Sequence, residues 1–200
     1  MLQVHAVMYV RHPADLFFSE FLYKKHCLWK QQGLHVAPAA TSASLAEHIA
    51  RLERSPGQRT VLTRFLAGAS WCSCSADLHE RRLWSAAELR RRARRNAATY
   101  LLIGVLERYN ESMRLLERKL DDRGGRSGRQ QQQQQQQRAI GRVAASARSN
   151  ALDACISQGD VPPSDLPTDA QRSAVLELLR EDVDLYHELE QRLLRELPHT

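Results

Sequence analysis

Between positions 7 and 21 the chain reads VMYVRHPADLFFSEF, and the polar groups in that segment are spaced for holding an anion. Arg11 follows a β-branched apolar run, Val4–Val10, and Pro13 suits the first turn of a helix, where its missing N–H costs nothing. An arginine at the carboxyl end of a buried strand, beside a helix N-terminus, stands where α/β folds bind ligands. The helix start offers free N–H groups and a positive dipole end. A guanidinium adds a planar, permanently charged, bidentate donor matched to phosphate. Ser19, two helical turns further on, adds a hydroxyl donor to a phosphate lying along the helix side. The same residues also admit plain structural roles, with Arg11 capping the sheet edge and Ser19 an ordinary helix serine.

Other chemistries find less support. The eight histidines stand singly at 5, 12, 26, 35, 48, 79, 187 and 199, with no i,i+4 pair on a clean helix face, so no metal is assigned. His5 reads as a core or edge residue, and His12 adjoins the anion site. Cys72-x-Cys74 lacks the two-residue spacer of a zinc knuckle, and Cys27 and Cys155 do not complete a ligand set. A disulfide from Cys72 or Cys74 fits only a luminal protein. No Gly-x-Ser-x-Gly elbow is present. No catalytic residue is assigned.

The elements that must position Arg11 follow from the apolar pattern. Val4–Val10 is a strand buried on both faces, and Ala14–Gln31 is a helix with apolar positions 17, 18, 21, 22, 28 and 29. Ser42 or Ser44 caps a short helix through Leu52, ended by Ser55-Pro56-Gly57. An apolar piece from Thr60 to Leu66 closes at Ala67-Gly68-Ala69-Ser70. Ser85 and Glu88 form a capping box for a helix over Ser85–Asn96 whose arginines cover most of its circumference. Tyr100–Leu106 is the second buried strand, and Glu107–Leu120 an amphipathic helix. The Gly- and Gln-rich stretch at about 122–138, with eight glutamines at 130–137, reads as a disordered insertion in a surface loop. After the Pro-rich connector 159–168, Thr168 caps one helix, and Asp182 or Asp184 begins a last one ending at Leu197. Two strand-then-helix units make the class α/β, with a small central parallel sheet and a helix-rich carboxyl-terminal half. A doubly wound sheet needs more strands.

At 200 residues with 42% hydrophobic content the chain can bury a core, which excludes global disorder. No apolar run approaches the roughly 20 residues of a membrane span, and MLQVHAVMYV lacks a basic leader and a cleavage site. Residues 1–100 carry 15 Lys+Arg against 7 Asp+Glu, and residues 101–200 carry 14 against 16. A basic half beside a slightly acidic one suits an anionic ligand. The run Arg90-Arg91-Arg92-Ala93-Arg94-Arg95 reads as a solvated helix face rather than a nucleic-acid patch, because no interleaved aromatics accompany it.

Arg11-x-Pro13 followed by Phe17-x-Ser19-x-Phe21 resembles the 3′-phosphate-binding motif of sulfotransferases that use 3′-phosphoadenosine-5′-phosphosulfate (PAPS). Thr63–Gly68 (TRFLAG), Ala93–Leu120 and Asp182–Leu194 (DVDLYHELEQRLL) are similar, in the same order, to segments of the Golgi membrane-bound carbohydrate sulfotransferases, the heparan sulfate 2-O and uronyl-like type. The similarity spans most of 4–197. It departs where His12 stands for the family's Asp or Asn, and Leu16 for a second Arg. The resemblance implies a P-loop-like fold, PAPS as sulfate donor, a carbohydrate acceptor, no nucleic-acid partner and a luminal Golgi location held by an amino-terminal anchor. It implies that Arg11 and Ser19 hold the 3′-phosphate and that Arg64 faces the nucleotide or the acceptor. The basic stretch Arg138–Arg148 falls where the family has a loop closing over the nucleotide, with Arg148 its candidate contact. The family's Lys-x-Gly-Ser/Thr-Thr type loop and its base normally lie upstream, so residues 1–200 are expected to be one partial domain, inactive by itself. The alternative expectation is a non-enzymatic helical interaction or nucleic-acid-binding protein with a basic helix and a polyglutamine tract.

Overall fold

A computed structural model of the chain describes residues 6–27, 44–69, 84–123 and 161–197. His5, Cys72, Cys74, Cys155, the glutamine tract and Arg148 lie outside them. Two strands, β1 (Val7–Val10) and β2 (Leu102–Val105), pair in parallel with Val7 opposite Leu102 and Val10 opposite Val105. Between them come α1 (Pro13–Leu22), α2 (Leu45–Arg54), α3 (Val61–Leu66) and α4 (Ala86–Ala97). After them come α5 (Tyr109–Arg123), α6 (Asp169–Leu178) and α7 (Arg180–Glu196). The described chain is thus helix-rich around a small parallel sheet, an α/β arrangement.

The two strands differ in burial. All of β2 is buried, whereas β1 is covered only toward its carboxyl end: Val7 is 38% exposed and Val10 3%. The expectation of a β1 buried on both faces is therefore corrected: Val7 is exposed and Met8 and Tyr9 are half-buried, so its packing is complete only at Val10. Gly104 in β2 is required by close approach, because a Cβ there would lie 2.5 Å from the Tyr9 ring. That ring has little room to withdraw, with its hydroxyl donating to the Met113 sulfur at 2.7 Å and its face 5.7 Å from that of Tyr109.

The core falls into two groups. One surrounds the sheet and includes Val10, Leu102, Val105, Leu115, Leu185 and Leu193. The other joins α1, α2 and α6 through Phe18, Phe21, Leu45, Leu52 and Val175. Helix α4 enters the first group despite its five arginines because its inner face is small: Ala93 is 0% and Ala97 3% exposed. Small side chains let a backbone approach a neighbour closely while the charged residues stay outside.

Local capping follows the sequence. Ser44 and Thr168 each form a reciprocal capping box, with Glu47 and Gln171 respectively. Ser85 accepts from the Glu88 N–H, but Glu88 does not return the bond, as its carboxylate pairs with Arg91 and Arg92. The final helix starts at Arg180, so neither Asp182 nor Asp184 caps it. Asp182 instead turns its carboxylate to the start of α3, accepting the N–H groups of Leu62 (2.7 Å) and Thr63 (2.9 Å). After α1 the chain makes a wider helical turn, Tyr23–Cys27, and Lys25 and His26 pair there with buried Asp165 at 2.6 and 2.9 Å.

Candidate functional site

Parallel strands end side by side, so the links that leave β1 and β2 emerge together at one edge of the sheet. The first link is Arg11-His12, running into Pro13 at the first position of α1. The second is the short turn Leu106–Arg108. They are joined by Glu107, whose carboxylate accepts the His12 backbone N–H at 2.9 Å and the Tyr186 hydroxyl at 2.8 Å. One side chain thus ties both strand ends and α1 to α7, and supplies a negative charge at the positive end of α1.

Around this carboxylate the rings of His12 and Tyr186 meet edge to face at 5.0 Å, and that of His187 lies 5.9 Å from His12. Burial, and then the bond to Glu107, raise the Tyr186 phenol above its ordinary range, so it stays a donor at neutral pH. Glu190 accepts from Arg108 at 2.9 Å and faces His187 Nδ1 at 3.5 Å. The Arg108 bond holds the Glu190 carboxyl below the usual range. Arg108 is therefore already committed.

Arg11 is not. Half-buried at the strand end, its guanidinium makes no hydrogen bond or ion pair among the described residues. Ser19 lies on α1 four residues beyond Asp15, half-buried, and its hydroxyl too has no partner among the described residues. Arg64 is 4% exposed on α3 and lines a different cleft, of about 480 Å³, whose wall contains neither Arg11 nor Ser19. Arg11 and Ser19 thus sit on consecutive elements, β1's exit and α1, while Arg64 is apart from them.

The basic helix is largely neutralised. Arg90 pairs with Glu181 at 2.5 Å, Arg91 and Arg92 with Glu88, and Arg94 binds both oxygens of Glu188 at 2.8 and 2.5 Å. Sequence reasoning did not anticipate Glu107, Tyr186 and His187 as members of the edge cluster. Glu107 had a signal equal to that of Arg11, being among the first polar residues after an apolar strand run. Among the described residues, no group of three or more His, Cys, Asp or Glu is placed to hold a metal, and no helix is long and apolar enough to cross a membrane. No protein-family model, curated protein or solved structure matches the chain.

Proposed function

We propose that this chain is the nucleotide-binding part of a PAPS-dependent carbohydrate sulfotransferase acting in the Golgi lumen, with Arg11 and Ser19 holding the 3′-phosphate of the donor. The observation that carries the reading is the Arg11 guanidinium, without a partner among the described residues, at the carboxyl end of a parallel strand beside the start of α1. A phosphate dianion suits this group, because a planar fork donates two parallel bonds to two of its oxygens. The Ser19 hydroxyl, without a partner on α1, adds a neutral donor.

The donor nucleotide would supply an activated sulfuryl group for transfer to a sugar hydroxyl. This chain's part is to bind and orient. Arg11 anchors the nucleotide away from the reacting sulfur, and its binding energy fixes orientation rather than acting on the bond that breaks. Glu107, holding the His12 N–H, keeps the Arg11-His12 link in place. The same carboxylate already satisfies one donor at the α1 terminus, so the phosphate depends on Arg11 and Ser19 more than on the helix start.

Calorimetric titration with adenosine 3′,5′-bisphosphate tests the reading. The wild-type chain is expected to bind, and Arg11→Ala to lose about tenfold or more in affinity, about 1.4 kcal/mol. Equal affinity in the two proteins rejects the assignment. Binding of nucleic acid without binding of the bisphosphate favours a non-enzymatic helical interaction protein instead. The arginine–carboxylate pairs of α4 weigh against that outcome, because they consume the charges it needs.

A further inference from the structure

Asn110-Glu111-Ser112 is an Asn-x-Ser triplet with a non-proline middle residue. At that spacing an Asn amide is joined to an oligosaccharide in proteins that enter the secretory pathway. The other asparagines lack it, Asn96 preceding Ala97-Ala98 and Asn150 preceding Ala151-Leu152. Asn96 is also committed, its amide donating to the Leu66 carbonyl at 2.9 Å. Asn110 is exposed, and its side chain has no partner among the described residues.

The triplet lies in the first turn of α5, and the helical period parts its two ends. Asn110, Arg114, Glu117 and Asp121 form one exposed stripe along the helix, while Ser112, Met113, Leu115 and Leu116 turn inward and are buried. A hydrated sugar on Asn110 Nδ2 therefore runs out over the stripe and displaces no packed side chain. Ser112 is 0% exposed. Its hydroxyl accepts the Val105 N–H at 3.0 Å and donates to the Val105 carbonyl at 3.3 Å, fastening the end of β2 to α5. Once the chain has folded, the acceptor amide is open but the hydroxyl that marks it is out of reach.

We propose that Asn110 carries an N-linked oligosaccharide, added to the nascent chain before α5 packs on β2. The inference rests on the luminal location in the proposed function and on nothing at the nucleotide site. In the transfer, Asn110 Nδ2 forms a bond to the anomeric carbon of an oligosaccharide held on a polyprenyl diphosphate. The bond from that carbon to the diphosphate oxygen breaks, the lipid diphosphate leaves with the electron pair, and the amide gives up one proton. The order follows from how β2 is covered. Its core is completed by Leu185, Leu189 and Leu193 of α7, which are synthesised after the triplet, so Ser112 is accessible first and buried later.

Peptide N-glycosidase treatment of the protein from its own cells, read by gel mobility, tests the modification. A single increase in mobility is expected for wild type and none for Asn110→Gln expressed in the same cells. No increase in wild type, or one that persists in Asn110→Gln, overturns the proposal. The same assay on the full chain carrying an added cleavable signal peptide separates the causes of failure. An increase there with none in the native protein traces the failure to the luminal location; none in either traces it to Asn110. Solubilised oligosaccharyltransferase with its lipid-linked donor tests the order of events. A peptide of residues 104–118 is expected to be modified, and the folded, unmodified chain is not. Equal modification of the two overturns the order. A glycosylated chain that fails to bind adenosine 3′,5′-bisphosphate sinks the nucleotide reading and upholds this inference.

Discussion

The Asp182 carboxylate and Thr63, 119 residues apart in sequence, are joined twice: Asp182 Oδ1 accepts both the Thr63 N–H at 2.9 Å and its hydroxyl at 2.6 Å. The other oxygen accepts the Leu62 N–H at 2.7 Å. Helix α3 has no side-chain cap of its own, so its first free N–H groups are satisfied from α7. Asp182→Ala leaves them buried without partners and is expected to lower unfolding free energy by about 3 kcal/mol. Thr63→Val, which removes one bond, is expected to cost about 1–2 kcal/mol. Urea denaturation followed by circular dichroism measures both, and a loss below half a kilocalorie for Asp182→Ala would refute the tertiary cap.

The same carboxyl sets a pH dependence. Burial raises its pKa from 3.8 to about 6, against the opposing pull of the Thr63 and Leu62 donors. Between those values the folded chain holds a proton that the unfolded chain has released, so the contribution is complete below about pH 3.8 and lost as pH rises through about 6. Relative to Asp182→Asn, which does not titrate, wild type is expected to lose about 3 kcal/mol of stability across that window. A stability difference that is level from pH 4 to pH 6.5, or that grows, contradicts this sign.

Gly104→Ala is expected to destabilise the sheet by about 1–3 kcal/mol, since the added methyl meets the Tyr9 ring, and Ser112 Cβ stands at 3.0 Å on the other side. In a Tyr9→Ala background the same change is expected to cost less. A double-mutant cycle reads the coupling between them, and strict additivity would mean that the ring moves aside freely.

Tyr186→Phe removes the phenol that donates to Glu107 and keeps the ring, which is 3% exposed. The expected loss is about 1–2 kcal/mol, given one bond to a charged acceptor open to solvent. Bisphosphate affinity is expected to follow in the same direction but by less than in Arg11→Ala, because the Glu107 bond to His12 remains. Stability unchanged in Tyr186→Phe would show that Glu107 is held without α7.

Local pattern locates several helix starts and the inner strand, though not the reciprocal box expected at Ser85, where Glu88 turns to Arg91 and Arg92. The caps expected at Ser42 or Ser44 and at Thr168 fall on Ser44 and Thr168, each within three residues of what it binds, and β2 announces itself as an apolar run. The start of α7 was misplaced because Asp182 has the type of a capping residue but satisfies a helix elsewhere. The acids of α7 that pair with α4 escape the pattern for the same reason, Glu181 being 91 positions from Arg90 and Glu188 94 from Arg94. Pattern alone puts Arg11 at a strand exit, yet the acid that holds the next residue, His12, is Glu107 in the turn after the other strand, 95 residues away. Spacing along a chain carries no register between strands.

The parallel pairing of β1 with β2 has a cost in time. Ninety or so intervening residues, Arg11 to Leu101, must be gathered before the first rung can close. Covering that ribbon then awaits Leu185, Leu189 and Leu193 from α7. A nascent chain leaving the ribosome therefore displays the apolar face of β2 throughout the synthesis of some eighty residues, an interval in which a chaperone has something to hold.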